Sequence, residues 1–198
     1  LDNGNCFLNR DLNVLKDIII SNKTLSGKEP MELGKQVWKK GKITSLIINN
    51  LDVKTIPLSI EKLKGLKKLH LQNNKISSLP KNICNLNLNP NNINSFLAGN
   101  NYLCDEIPDC VESLSGLNYE FDDNSYPVYE PQNCIVCEPG FRGIVNIPDN
   151  STVVNKKNCF YSSDLNVLQN IINVNPNFSD LEALEIGHQS WDGGRIST

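Results

Sequence analysis

Between Ile43 and Leu86 the apolar residues recur in a pattern that repeats every 23 positions. The first run places Ile43, Leu46, Ile48, Val53, Ile56, Ile60 and Leu63; the second places Leu66, Leu69, Leu71, Ile76, Leu79, Ile83 and Leu86. Each run has a proline directly after its fifth apolar position, at Pro57 and Pro80. The alternation of Leu69 and Leu71 predicts a short strand with one face in a core. The proline then opens an irregular segment, where a missing amide donor does no harm. A looser third run reads Ile93, Phe96, Ala98, Asn101, Leu103, then Ile107-Pro108, Val111 and Leu114, and Leu117–Asn124 reads as a fourth strand. One such unit cannot bury its apolar face alone, so the pattern predicts stacking.

Upstream, Leu12, Leu15, Ile18 and Ile19 form an apolar stripe at helical spacing, with Asp11 placed as the N-cap. A strand near Glu32–Trp38, a turn at Lys39–Lys42 and the first strand of the array then read as a hairpin.

These segments resemble the L-x-x-L-x-L-x-x-N-x-L-x-x-L-P repeat of leucine-rich-repeat proteins, with Asn74 at the turn after the second strand and Leu51 where the first run lacks that Asn. The helix and hairpin resemble the N-terminal cap of extracellular plant-type and related bacterial members, joined to the array at Gly41-Lys42-Ile43. The cap cysteine pair of that family does not transfer, because Cys6 is alone in the segment. The resemblance implies an α/β solenoid: a cap over 1–42, about four leucine-rich coils over 43–126, a Pro/Cys-rich connector over 127–158, and a second cap started at 159–198.

The second cap is read from a longer duplication. Sliding the chain by 153 positions aligns 1–45 with 154–198 without a gap, matching Cys6 to Cys159, Phe7 to Phe160, Asp11–Leu15 to Asp164–Leu168, and Trp38 to Trp191. The expectation is a fragment of a protein with at least two tandem modules, in which neighbouring modules of the same protein are partners. Leu1 in place of Met points the same way.

Composition narrows the function classes. A net charge of −3 gives no electrostatic footprint for nucleic acid, and no apolar run approaches the length needed to cross a bilayer. Seven cysteines point to an oxidising compartment, hence a secreted or cell-surface setting, and the odd count leaves one thiol over. Cys84, Cys104 and Cys110 are close enough in the pattern for one pair among them. The module logic has Cys159 bridging back to Cys134 or Cys137, and leaves Cys6 single. Sequons at Asn22, Asn150 and Asn177 are glycosylation candidates.

Little in the chain suggests catalysis. Cys134-x-x-Cys137 has the spacing of a thiol-redox pair, but Pro131 and Pro139-Gly140 surround it and no helical pattern adjoins it. No second such pair supports zinc. No cofactor or metal is expected, and no enzyme. The remaining candidate is the strand face that points away from the core: Ser45, Ile47 and Asn49, then Lys68, His70 and Gln72, then Ser95 and Leu97, then Glu120 and Asp122. Such a face on a rigid frame suits a protein partner. The leading expectation is therefore a non-catalytic recognition or adhesion module. A rigid spacer within a tandem surface protein is the alternative, and a thiol-redox protein acting through Cys134 and Cys137 the remote one.

Overall fold

The computed structural model describes residues 6–104, 107–122, 126–155, 158–178 and 181–197. Asn5, Asp123, Asn124 and Ser179, which carry parts of the duplication, the fourth strand and one sequon, lie outside the described residues. The chain forms two compact units, Leu1–Asn133 and Cys134–Thr198.

The first unit opens with helix α1, Asn9–Ile20, whose stripe of Val14, Leu15 and Ile18 is buried. Strands β1 (Lys35–Lys39) and β2 (Lys42–Ile47) pair antiparallel across the turn at Lys40-Gly41. Both turn residues have positive φ, the left-handed conformation that a two-residue hairpin turn demands. Strands β3 (Lys68–His70) and β4 (Phe96–Leu97) extend the sheet in parallel, giving the order β1-β2-β3-β4. The core beneath holds Ile43, Leu46, Ile48, Leu69, Leu71, Phe96 and Ala98 together with the α1 stripe.

Two buried amides tie the loops beyond these strands. Asn74 donates to the carbonyls of Ile48 and Leu71 and accepts the backbone N–H groups of Leu51 and Val53. Asn101 donates to Leu71 and Ala98 and accepts from Ile76. Asn74 fills its bonding capacity inside the core, and Asn101 satisfies both its donors and one lone pair, so their hydrogen bonds offset the desolvation of burial. The short helix α2, Asp109–Glu112, is held to the Lys81–Asn85 turn by the Cys84–Cys110 disulfide. Strands β5 (Tyr119–Phe121) and β6 (Pro127–Tyr129) close the unit as an antiparallel hairpin.

The second unit pairs β7 (Phe141–Gly143) antiparallel with β9 (Cys159–Tyr161). Strand β8 (Ser151–Val154) runs parallel to β10 (Gln189–Asp192), which turns back into β11 (Arg195–Ser197). Helix α3, Ser162–Val174, covers a small core of Phe160, Leu165, Leu168, Leu184 and Trp191.

The solenoid of about four coils expected over 43–126 is not formed. The described strands fall into four separate small sheets, and the described residues make a mixed α/β fold with three helices and three disulfides. Within 43–126, among the described residues, only β2, β3 and β4 share a parallel ladder, and β4 is two residues long. The segment expected as a fourth coil strand turns back on itself instead, pairing Tyr119 with Tyr129 and Phe121 with Pro127. Local alternation predicts a strand but not its partner, and here the partner is the next segment of chain.

The duplication is visible in atomic detail, and it corrects the N-cap reading of Asp11. Leu8 occupies the cap position, while Asp11 lies inside the first turn, fully buried. Its carboxylate accepts the backbone N–H of Ile43 at 3.0 Å and the Nε of Arg10 at 3.1 Å. Asp164 does the same in the second unit, accepting from Ile196 N–H at 3.0 Å and from Arg195. The residue therefore ties the helix to the returning strand of the hairpin.

The rest of the device repeats too. Phe7 meets Trp38 edge-on at 4.8 Å, and Phe160 meets Trp191 at 4.9 Å. Each Trp Nε1 donates to a glutamine two residues earlier, Gln36 or Gln189. That glutamine in turn donates to two backbone carbonyls of the preceding turn. An edge-to-face pair with a satisfied indole N–H is the arrangement that lets Trp be buried without an orphan donor.

Candidate functional site

The strand face expected as the ligand surface is largely covered. His70, Gln72, Ser95 and Leu97 are buried; Ser45, Ile47, Asn49, Lys68 and Glu120 are half-buried, and only Asp122 is exposed. Part of the cover is the β5–β6 hairpin. At Gly99 a Cβ would lie 2.7 Å from the Glu130 carbonyl oxygen and 2.9 Å from that of Tyr119, so the hairpin backbone occupies the space a side chain would need. Gly99 donates its N–H to the Tyr119 carbonyl, and Asn100 donates to that of Glu130. The ring of Phe121 lies 6.1 Å from that of His70. Four of the ten expected contact residues are thus interior, five are half-buried, and Asp122 alone is exposed.

Polar side chains fasten the hairpin in place. Asn73 donates to a Glu120 carboxylate oxygen, Asn100 to the Asn73 carbonyl oxygen, and Asn133 to that of Asn100. Gln132 accepts the Leu103 N–H and donates to the carbonyls of Ala98 and Leu117. Glu120 therefore serves as a fastener. His70 donates its Nε2–H to the Asn94 carbonyl at 3.0 Å. Burial lowers its pKa from the ordinary 6.5 to about 4, with the nearby Lys68 charge acting in the same direction against the carbonyl bond.

What remains exposed is the hairpin's outer strand. Tyr126 and Tyr129 are 68% and 59% exposed, and Val128 lies beside them. Tyr119 packs edge-on to Tyr129 at 5.5 Å. The bonds Asp122 N–H to Tyr126 and Glu130 N–H to Asn118 set the alternation of the ladder, so the N–H and C=O of Tyr129 point away from β5. Pro127 has no amide to offer, as suits an edge. Sequence reading assigned Tyr126-Pro127-Val128-Tyr129 to a connector and missed it. The available signal was a proline amid alternating aromatic and β-branched residues, which marks an edge strand.

The cysteines are all accounted for. Cys84 pairs with Cys110 and Cys137 with Cys159, Cys104 and Cys134 are also disulfide-bonded, and Cys6 is an exposed free thiol. Cys137 is thus bonded across 22 residues to Cys159 and not to Cys134, so the C-x-x-C spacing does not form a vicinal redox pair. Three disulfides indicate an oxidising environment.

The Asn22 sequon is not a surface site. Asn22 is buried, donating to the carbonyls of Ile18 and Thr55 and accepting from the N–H groups of Lys54 and Thr55. Asn150 donates to the carbonyls of Glu185 and Gly187, whereas Asn177 is exposed.

Among the described residues no group of three His, Cys, Asp or Glu side chains is placed to hold a metal ion, and no helix is long and apolar enough to cross a membrane. A shallow cleft of about 180 Å³ beside the Cys84–Cys110 disulfide, lined by Ile83, Leu86, Leu88 and Val111, falls short of the several hundred Å³ of a typical small-molecule site.

No known protein family, curated protein or solved structure matches this chain. The resemblance to leucine-rich-repeat proteins is corrected accordingly: no family match supports it, and the sheets are small and separate.

Proposed function

We propose that this chain is a non-catalytic protein-recognition module that works in secreted form or at the cell surface. The observation that supports this best is the exposed strand β6, with Tyr126 and Tyr129 at its ends, on a hairpin fastened by polar side chains. Tyrosine brings a large amphipathic contact area at low entropic cost, and a pre-fixed backbone lowers the ordering penalty of binding. Tyr129 also offers one outward N–H and one C=O to an extended partner segment. The disulfides suit the oxidising compartment this setting requires.

The test is capture of secreted and surface proteins on the immobilised full chain, run beside a Tyr126→Ala/Tyr129→Ser double variant whose circular dichroism matches the parent. The reading expects specific partners retained by the parent and lost by the variant. Retention of the same partners by both would refute it.

A further inference from the structure

The net charge of −3 hides a separation of charge along the chain. Residues 1–90 carry 15 lysines and arginines against 7 acidic residues, whereas residues 91–133 carry 8 acidic residues and no basic one. The fold gathers part of the basic excess at one edge of the first unit. Lys39 and Lys42 are the last pair of the β1–β2 ladder, with Lys40 in the turn between them. The loop before β3 is brought alongside. Lys67 donates its N–H to the Thr44 carbonyl at 2.9 Å, and a Cβ at Gly65 would lie 3.1 Å from that of Lys42. Lys39, Lys40, Lys42, Lys64 and Lys67 are all exposed, and none forms an ion pair among the described residues. The Asp11 carboxylate, which ties α1 to this hairpin, is fully buried and taken up by Arg10 and the Ile43 N–H.

The duplicate hairpin shows that the fold does not need these charges. At an offset of 153, Lys39, Lys40 and Lys42 correspond to Asp192, Gly193 and Arg195. The turn backbone is kept: Gly193 and Gly194 have φ 57° and 80°, against 49° and 74° for Lys40 and Gly41. The free positive charge is not kept, since Arg195 pairs with Asp164 and Asp192 accepts from Asn155. Glycine adopts the left-handed conformation freely, while a side chain there is strained. The first copy thus holds a lysine where the turn itself favours glycine.

We propose that this edge, made of the β1–β2 turn and the loop 64–67, binds a sulfated polysaccharide. The chemistry of the patch selects that class. Lysine is depleted in protein–protein interfaces, whose anchors are aromatic residues and arginine, and the five positions include neither. Single-stranded nucleic acid is held by aromatic stacking as well as by charge. Here the neighbouring Trp38 is half-buried, packed on Phe7 and bonded to Gln36. Anionic lipid enriches the cytoplasmic leaflet, on the opposite side from the oxidising environment that the disulfides indicate. On the oxidising side, a linear chain of fixed sulfates supplies the counter-charge that five unpaired ammonium groups lack, and lysine-rich turns bind such chains through charge.

The site relies on the oxidising setting but not on the Tyr126–Tyr129 strand, so the double variant of that strand leaves it intact. The experiment measures binding of the full chain to heparin, with unsulfated hyaluronan, phosphatidylserine vesicles and duplex DNA beside it. Heparin is bound at about 0.15 M salt, near physiological ionic strength, and hyaluronan is bound far more weakly. Lys39→Ser/Lys42→Ser/Lys67→Ser weakens heparin binding about tenfold or more, and the slope of log affinity against log salt becomes shallower by about one per lysine removed. Lys23→Ser/Lys28→Ser/Lys54→Ser removes the same charge near the other end of α1, where Asn22 bonds Lys54, and leaves both quantities unchanged. All six positions are exposed, and matching circular dichroism spectra check the folding of both variants. Any of four results overturns the proposal: no binding to heparin at that salt, equal binding to hyaluronan, equal weakening by the two triple variants, or tighter patch-dependent binding to the vesicles or to DNA.

Discussion

Replacing Asp11 by Ala removes the acceptor for the Ile43 N–H, and Ile43 is fully buried, so no water is at hand to take over. A hydrogen bond to a charged group contributes about 1.5–3 kcal/mol, and an orphaned buried donor costs about 1–3 kcal/mol, two overlapping measures of one loss. The expected destabilisation is about 1.5–3 kcal/mol, a large share of the roughly 5–15 kcal/mol that holds a typical domain together. Asp164→Ala removes the same bond in the second unit, but Ile196 is 45% exposed and solvent can replace the carboxylate. The exposed ion pair with Arg195 is screened by solvent and adds little. The expected loss there is well below that at Asp11. The two tryptophans make the comparison direct, since Trp38 lies in one copy and Trp191 in the other. Urea unfolding followed by fluorescence in Trp38→Phe and Trp191→Phe backgrounds reads each unit by its own probe. With a slope of about 1–3 kcal/mol per molar, Asp11→Ala moves its midpoint by about 0.5–3 M. Asp11→Asn keeps an acceptor oxygen and loses less. Equal losses in the two units, or a loss below about 1 kcal/mol for Asp11→Ala, would refute the reasoning.

Two further outcomes follow from the covered strand face. The folded chain refuses a proton at His70 until about pH 4, whereas the unfolded chain takes one near 6.5. The stability this contributes is full above 6.5 and is lost as pH falls toward 4, on the order of 3 kcal/mol in all; His70→Gln flattens that part of a urea-midpoint profile against pH. Gly99→Ala puts a methyl into the hairpin backbone and costs about 1–3 kcal/mol, while raising hydrogen exchange at the amides of position 99 and Asn100, which donate to the hairpin carbonyls.

Legibility from the sequence follows the range of each interaction. The stripe Leu12, Leu15, Ile18 and Ile19 lies within one helix, and a helix runs there from Asn9 to Ile20. The turn at Lys40-Gly41 is equally local. The duplication could be read because 45 aligned positions carry it, and it led to the matched burial of Phe160 with Trp191. The stacking of coils was not local, and it was there that the reading failed. Nothing in Leu117–Asn124 announces that Tyr119 pairs with Tyr129 and lies over Gly99. The same reason hid the role of Asp11, whose partner Ile43 is 32 residues away and whose position near a helix start imitates a cap. Asn22 misled through its sequon, because a tripeptide carries no burial, and four backbone contacts from two segments decide it. Of the candidate surface, His70, Gln72, Ser95 and Leu97 are buried, and His70 lies against Phe121 of that hairpin.

The central claim is that one helix–hairpin device occurs twice, with its apolar face covered in the first unit and open in the second. Methyl NMR of the unaltered chain with a soluble paramagnetic probe tests it without any substitution. Strong broadening of Val167, Ile171 and Ile196, with Val14, Ile18 and Ile43 protected, is the result this account predicts. Equal protection of the two sets, or broadening of both, would contradict it.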